Sequence, residues 1–274
     1  MLNISIGNII QKLSSDISRT DEAKAKIIRI FKENVCGVMP DISGSDPRHS
    51  GREGHWLEDR MGIRHNASNA PDLFGYEMKK RTSGVITLGS WDPNYWMFRD
   101  PENRLDRDGF LRAFGQPNPE KGNRMSWSGS PVPKIDRING FGMRIEVGSE
   151  AISFFYSFSS DKRPEKNTLV PPNLQREELE VCKWNLTGRK SLREKVEKKF
   201  NQLGWFECIK NEAGAYTGLA FGNPFTFETF LDYFRRGLVY FDCGMYEGNP
   251  RNYCQWRSRN SFWDTLISER YEFD

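Results

Sequence analysis

Three residues of this chain, Asp72, Glu77 and Lys79, have types and a spacing that could do chemistry. They lie in the run Pro71-Asp72-Leu73-Phe74-Gly75-Tyr76-Glu77-Met78-Lys79. Tyr76 to Lys79 reads as a short strand. Side chains alternate along a strand, so Glu77 and Lys79 point to one side and Tyr76 and Met78 to the other. Pro71 favours an extended or turn conformation for Ala70, which delivers Asp72 just ahead of the strand. Two carboxylates brought together concentrate negative charge and favour a hard divalent cation with oxygen ligands. An ammonium beside them can orient or deprotonate a water, or steady a scissile phosphate. That set suits metal-assisted hydrolysis of a phosphodiester. Asp-x4-Glu-x-Lys alone is weakly specific, because a solvated strand face produces the same spacing by chance.

The flanking elements add to it. Trp56-Leu57-Glu58 reads as part of a short helix ended near Gly62, and Asn66, Ser68, Asn69 and Pro71 form a polar loop. Thr82-Ser83-Gly84 is a turn, and Val85-Ile86-Thr87-Leu88 a second strand. The order is therefore helical glutamate, loop, Asp72, strand with Glu77-x-Lys79, turn, strand. This order resembles the PD-(D/E)xK nucleases, and within them the MutH-like branch of type II restriction endonucleases that holds MvaI, BcnI and LlaMI. The matching positions are Glu58, Asp72, Glu77 and Lys79. Ala70-Pro71-Asp72 with four residues before Glu77 is similar to the MvaI form, whereas mismatch-repair MutH has a longer gap. The resemblance covers roughly residues 50–100, with suggestive patterns in the last 50.

The resemblance implies an α/β fold: a restriction-endonuclease-like core with a mixed central sheet flanked by helices, plus a C-terminal DNA-recognition part. It implies cleavage of double-stranded DNA at a short G/C-rich site of the type CC-x-GG by a monomer, and a cognate DNA methyltransferase in the same bacterial cytoplasm. The expected cofactor is Mg2+. Asp72 and Glu77 would ligate it with the backbone carbonyl of Met78, Lys79 would position the attacking water, and Glu58 would assist through a bound water or a second ion.

Composition bounds the reading. The chain has 274 residues, enough for one large domain or two small lobes. At 28% charged and 13% aromatic it is polar but able to build a core. A net charge of +3 excludes a polybasic binder, so a nucleic-acid surface must be a local concentration of Lys and Arg. Cys36, Cys182, Cys208, Cys243 and Cys254 are scattered without a Cys-x-x-Cys pair, which indicates neither a zinc site nor a disulfide framework. The first residues read as an amphipathic helix rather than a signal peptide, and no stretch is long and apolar enough to span a bilayer.

Along the chain, residues 4–15 and 21–34 read as two packing helices, the second capped by Thr20-Asp21. Residues 37–53 form a loop in which Arg48, His49 and Arg52 precede the helix of Glu58; it is either a connector or a DNA-contacting loop. Residues 92–134 read as long and irregular, with Arg99, Arg104, Arg107, Arg112, Lys121 and Arg124 among Tyr95, Trp96, Phe98 and Trp127. Such a segment suits a groove on a phosphate backbone, or a solvated insertion. Residues 141–158 read as two strands about Gly148-Ser149. Residues 191–203 are a helix ended by Gly204, whose four basic residues read as its solvated face. A hairpin over 205–220, a helix over 226–236 and a strand over 238–243 follow. In the C-terminal run, Arg251, Asn252, Gln255, Arg257, Arg259 and Asn260 lie within ten residues. Arg reads guanine and Asn or Gln reads adenine on the major-groove edge. With Arg48, Arg52 and Arg99, the first five of these are the expected DNA-binding residues.

The expected division is a catalytic lobe over 1–140 and a DNA-recognition lobe over 141–274. Three rivals stand beside the main reading: a MutH-like repair nickase, a non-catalytic DNA-binding module, and a metal-dependent hydrolase of small phosphate esters.

Overall fold

A computed structural model describes residues 6–44, 46, 51–64, 68–81 and 84–273, the side chains of 6–16 excepted. In chain order its helices are α1 (Ile6–Asn34), α2 (Arg52–Arg60), α3 (Arg107–Phe114), α4 (Lys166–Leu169), α5 (Leu192–Phe200), α6 (Phe227–Arg235) and α7 (Asn260–Asp264). The strands to the middle of the chain are β1 (Tyr76–Lys79), β2 (Val85–Ser90), β3 (Tyr95–Trp96), β4 (Gln116–Asn118), β5 (Arg124–Trp127), β6 (Phe141–Val147) and β7 (Ala151–Asp161). The later strands are β8 (Leu179–Asn185), β9 (Gly204–Lys210), β10 (Tyr216–Gly222), β11 (Val239–Cys243), β12 (Met245–Tyr246), β13 (Cys254–Arg259) and β14 (Ile267–Glu272). No helix among the described residues is long and apolar enough to cross a membrane.

The chain divides into two discontinuous compact units: residues 1–81, 198–225 and 264–274, and residues 82–197 and 226–263. The boundary expected near residue 140 falls inside the second unit.

The first unit is built on a mixed sheet of order β1-β9-β10-β14, in which β1 runs parallel to β9 and the other pairs are antiparallel. Period-two alternation separates its faces. Tyr76 and Met78, Phe206 and Cys208, and Leu219 and Phe221 join Ile27 and Phe31 of α1, Val35 just past its end, and Leu57 of α2 in one core. Glu77 and Lys79 point the other way, and the β1–β9 register sets Glu77 beside Trp205 and Lys79 beside Glu207 on that second face. α1 is continuous where a break at Thr20-Asp21 was expected. Neither Gly nor Pro interrupts Ile9 to Asn34, and a mid-helix Thr or Asp costs only tenths of a kcal/mol, about 0.7 at most.

The second unit holds a four-stranded sheet, β3-β8-β7-β6, and two three-stranded ones, β11-β13-β2 and β12-β5-β4. Trp96, Phe110, Trp127, Phe154, Trp184, Phe230, Phe241 and Trp256 fill its core, with Trp184 and Phe241 at a centroid distance of 4.8 Å. The stretch expected to be irregular, 92–134, contains α3 and the β4–β5 pair. Asp106 caps α3 by accepting from the Gly109 amide, and Phe110, Leu111, Ala113 and Phe114 bury one face.

Gly204 connects α5 to the sheet. Its φ is +115°, and a Cβ there would lie 2.2 Å from the Gly222 carbonyl oxygen. Gly204→Ala should therefore lower stability by about 2 kcal/mol or more, read as an earlier urea midpoint with an unchanged slope.

Candidate active site

β1 is a short edge strand of its sheet, and its second face carries the chemistry. Glu77 and Lys79 are both buried, 3% and 6% exposed in their side chains. Lys79 Nζ donates to Glu77 Oε1 at 2.8 Å. Asp72 enters from a tight turn in which Leu73 and Tyr76 exchange backbone hydrogen bonds. Phe74 and Gly75 occupy the left-handed region at its centre. The turn brings Asp72 Oδ2 to within 2.9 Å of the Met78 amide, which donates to it. The structure thus brings Asp72, Glu77 and Lys79 together. Glu58 lies on α2, half-buried, where it bears electrostatically on Lys80. The charges that bear most on Asp72 are Glu77, Lys199 and Lys79.

Lys199, read from sequence as part of a solvated helix face, is a member of this cluster. Its Nζ lies 2.8 Å from Glu77 Oε1, with a side chain 15% exposed. Phe200 follows it, and Lys79 Nζ sits 5.0 Å from that ring's centroid. The signal was present in the spacing. Leu192, Val196 and Phe200 bury one stripe of α5, and Lys195 and Lys199 fall one residue before its last two members, on its edge.

Electrostatics follow from burial. Desolvation, then repulsion from Glu77, pushes the Asp72 carboxyl up to about 6, against the pull of Lys199, Lys79 and the Met78 amide. Burial lowers the Lys79 ammonium, and Lys199 adds to that; Glu77 opposes it. Glu207, fully buried on β9, is raised by desolvation despite its 2.7 Å pair with Arg81, which also binds Asp264 at 2.6 Å.

Among the described residues no group of three or more His, Cys, Asp or Glu is placed to hold a metal ion. Asp72 and Glu77 nevertheless offer two carboxylates, and Glu77 Oε2 is buried and accepts no hydrogen bond. An acceptor-only oxygen left bare beside a second carboxylate fits an oxygen-seeking cation.

The residues expected to meet DNA are spread differently. Arg48 lies outside the described residues. Arg52 opens α2. Arg99 is exposed, 3.9 Å from Asp92. Arg251 is exposed and packs over the Tyr253 ring. Asn252 is buried, and its Oδ1 accepts from Arg107 Nε at 3.1 Å. Gln255, Arg257 and Arg259 share one face of β13, the middle strand of its sheet, while Cys254, Trp256 and Ser258 are buried on the other. Arg257 donates to Asp242 Oδ2 at 2.6 Å and to Gln255 Oε1 at 2.5 Å. Register places Tyr240 and Thr87 on either side of it. Tyr240 and Asp242 also line an open depression of about 800 Å³ with Lys134, Arg137 and Asn139. Tyr240, Asp242, Lys134 and Arg137 were not singled out in the sequence, because only strand pairing places them there.

A family model described as LlaMI restriction endonuclease matches residues 35–271. The chain is 46% identical over 268 residues to the type II restriction enzyme ScrFI of Lactococcus lactis subsp. cremoris, covering 91% of this chain and 98% of that one. It is similar to the solved complex of the restriction endonuclease MvaI with its cognate DNA substrate, at a TM-score of 0.57 and 13% identity, covering 92% and 97% of the two chains. That likeness shows a restriction-endonuclease-like fold.

The raised Asp72 carboxyl predicts a signed pH effect. It takes up its proton near pH 6 in the folded protein, but near pH 4 when unfolded. The penalty for its charge is therefore absent below about pH 4, accrues between about 4 and 6, and is complete above. Asp72→Asn, which can still accept from the Met78 amide, should raise the melting temperature at pH 8 and lose that advantage near pH 4. An equal gain at both pH values would contradict the assignment.

Proposed function

The chain belongs to the LlaMI restriction endonuclease family, and on that premise we propose a magnesium-dependent enzyme that cuts both strands of DNA at a CC-x-GG-type site. The observation that carries the hydrolytic reading is the Glu77 carboxylate. One oxygen is held by two ammoniums, the other is buried and bare, and Asp72 stands beside it.

Asp72, Glu77 and the Met78 carbonyl would hold the cation. A divalent ion supplies stabilisation of charge on the attacked phosphate and a more acidic water. Lys79 Nζ orients the attacking water from its bond to Glu77, and its burial brings proton acceptance at that atom within easier reach. Glu58, near Lys80, assists from α2 through a bound water or a second ion.

For readout, the polar face of β13 supports recognition of guanine. Arg257 and Arg259 supply two forks that match its O6 and N7 acceptors, and Gln255 an amide. Arg52 at the start of α2 and the exposed Arg99 and Arg251 suit phosphate contacts, and Asn252 acts through Arg107. A monomer reads the two half-sites with different residues and cuts the strands in succession. A methyltransferase of the same specificity would protect the DNA of the bacterial cytoplasm in which the enzyme works.

Incubation with plasmid and Mg2+ tests the reading directly. Wild type should give discrete linear fragments through a transient nicked circle, from a particle near 31.8 kDa in light scattering. Nicked circles alone would make it a nickase, and retarded but intact DNA a binding module. Asp72→Ala and Lys79→Ala should each lose at least about 10²-fold in cleavage, while Ca2+-supported binding of the specific site persists. Near-wild-type turnover in either would sink the site assignment.

Specificity has its own test. Mapped ends should carry paired G·C steps. Arg257→Ala and Arg259→Ala should each cost on the order of 1–3 kcal/mol and relax one position. Unchanged specificity in both variants would remove β13 from the readout.

A further inference from the structure

α5 carries four basic residues, and their partners differ. Arg193 pairs with Glu228. Lys195 donates to the Asp92 carbonyl at 2.8 Å. Lys198 is exposed. Lys199 alone reaches the Glu77 carboxylate, at 2.8 Å from Oε1. Lys79 uses that same oxygen, so both ammoniums converge on one atom and Oε2 is left bare and buried. Burying an ammonium is costly unless it is closely paired, and here the pair is with one of the two carboxylates the hydrolytic reading needs. An exposed position was open to Lys199 one residue earlier on the helix.

We propose that Lys199 is a positioning residue of the hydrolytic site, which holds Glu77 by Oε1, presents Oε2 to the cation, and keeps the DNA-free site electrically neutral. The inference rests on the metal-assisted reading of Asp72 and Glu77. Their two negative charges are balanced by Lys79 and Lys199, so a divalent cation enters a site with no net charge. The scissile phosphate, itself an anion, then meets a net positive site. Removing Lys199 leaves one uncompensated negative charge that draws a cation more strongly. It also frees the Glu77 side chain to turn. Cation affinity and turnover should therefore move in opposite directions, which loss of a merely structural lysine would not produce.

The experiment uses the full chain. Ca2+ is titrated calorimetrically into the DNA-free protein, and single-turnover plasmid cleavage is measured with Mg2+. Lys199→Met should bind Ca2+ on the order of thirtyfold tighter, the water-screened effect on a divalent ion of removing one like unit charge about 4 Å away. It should cut at least about tenfold more slowly, with Ca2+-supported binding of plasmid DNA less affected. Lys199→Gln, which keeps a donor without charge, should show the same tightening if the methionine variant folds poorly. Lys199→Arg should restore wild-type Ca2+ affinity, and Lys198→Met on the exposed neighbour should change neither quantity. Unchanged or weaker Ca2+ binding in both folded neutral variants overturns the role of Lys199. A wild-type protein that cuts DNA yet binds Ca2+ no better than Asp72→Asn overturns instead the reading on which it rests.

Discussion

Compensating the charge of Glu77 is the constraint on which the first unit depends. A carboxylate removed from water must be paired closely and hydrogen-bonded, or it protonates. Glu77 meets the requirement from two directions. Lys79 comes from its own strand at two residues' separation, where alternation guarantees the same face. Lys199 comes from a helix 122 residues further along the chain. That second partner exists only if α5 ends against the sheet. Gly204 permits that ending, because the chain must turn from Phe200 into β9 with a φ of +115° and a carbonyl oxygen where a side chain would sit.

The same face shows how several charges coexist without competing. Glu77, Lys79 and Arg81 occupy alternate positions, so the row continues past the end of β1. Glu207 lies beside Lys79 in register, yet its hydrogen bond is from Arg81, which Asp264 also holds. Arg81 thus neutralises Glu207, and Lys79 remains committed to Glu77. Both bonds leave from the one Nη2 of Arg81, whose two N–H groups turn to different carboxylates. Parallel pairing of β1 with β9 adds a topological requirement. Parallel neighbours need a crossover, and here the connection runs through residues 82–197 of the second unit.

What could be read from the sequence was local. Tyr76–Lys79 emerges with the bounds the alternation gave, and α2 stops ahead of Gly62, whose φ is +74°. The hairpin of β9 and β10 and the helix begun at Thr226 are also local patterns, a turn and a cap. Features that depend on remote partners were not legible. α3 is only eight residues long and sits among prolines and glycines, so its aromatic face passed as loop anchors. β14 pairs with β10 across the chain, and nothing within Ile267–Glu272 names that partner. The division into units required knowing that residues 198–225 return to β1. Lys199 shows the limit most clearly. Charge on a helix reads as solvated unless the buried counter-charge is known, and Glu77 lies on another element. Its place on the edge of the Leu192–Val196–Phe200 stripe was the available hint.

The polar face of β13 poses a different physical problem, which is holding a guanidinium ready without holding it too well. Trp256 and Ser258 anchor the strand from below, and a register shift between Trp256 and Arg257 sets the twist where the fork projects. Arg257 then donates to Asp242 on the next strand and to Gln255 two residues back. Those bonds fix rotamers that would otherwise be lost on binding, and a fork held on a strand is placed more exactingly than one on a loop. They also set a threshold. In the proposed readout a base edge would have to replace or share the Asp242 bond, and guanine, with two acceptors in the plane of the fork, offers comparable exchange. Phosphate offers acceptors too, but without a fixed plane relative to the sheet. On the proposed reading, an arginine restrained in this way by a carboxylate on a strand would discriminate among bases rather than grip a backbone. The exposed Arg251 is free of that restraint and suits the second task.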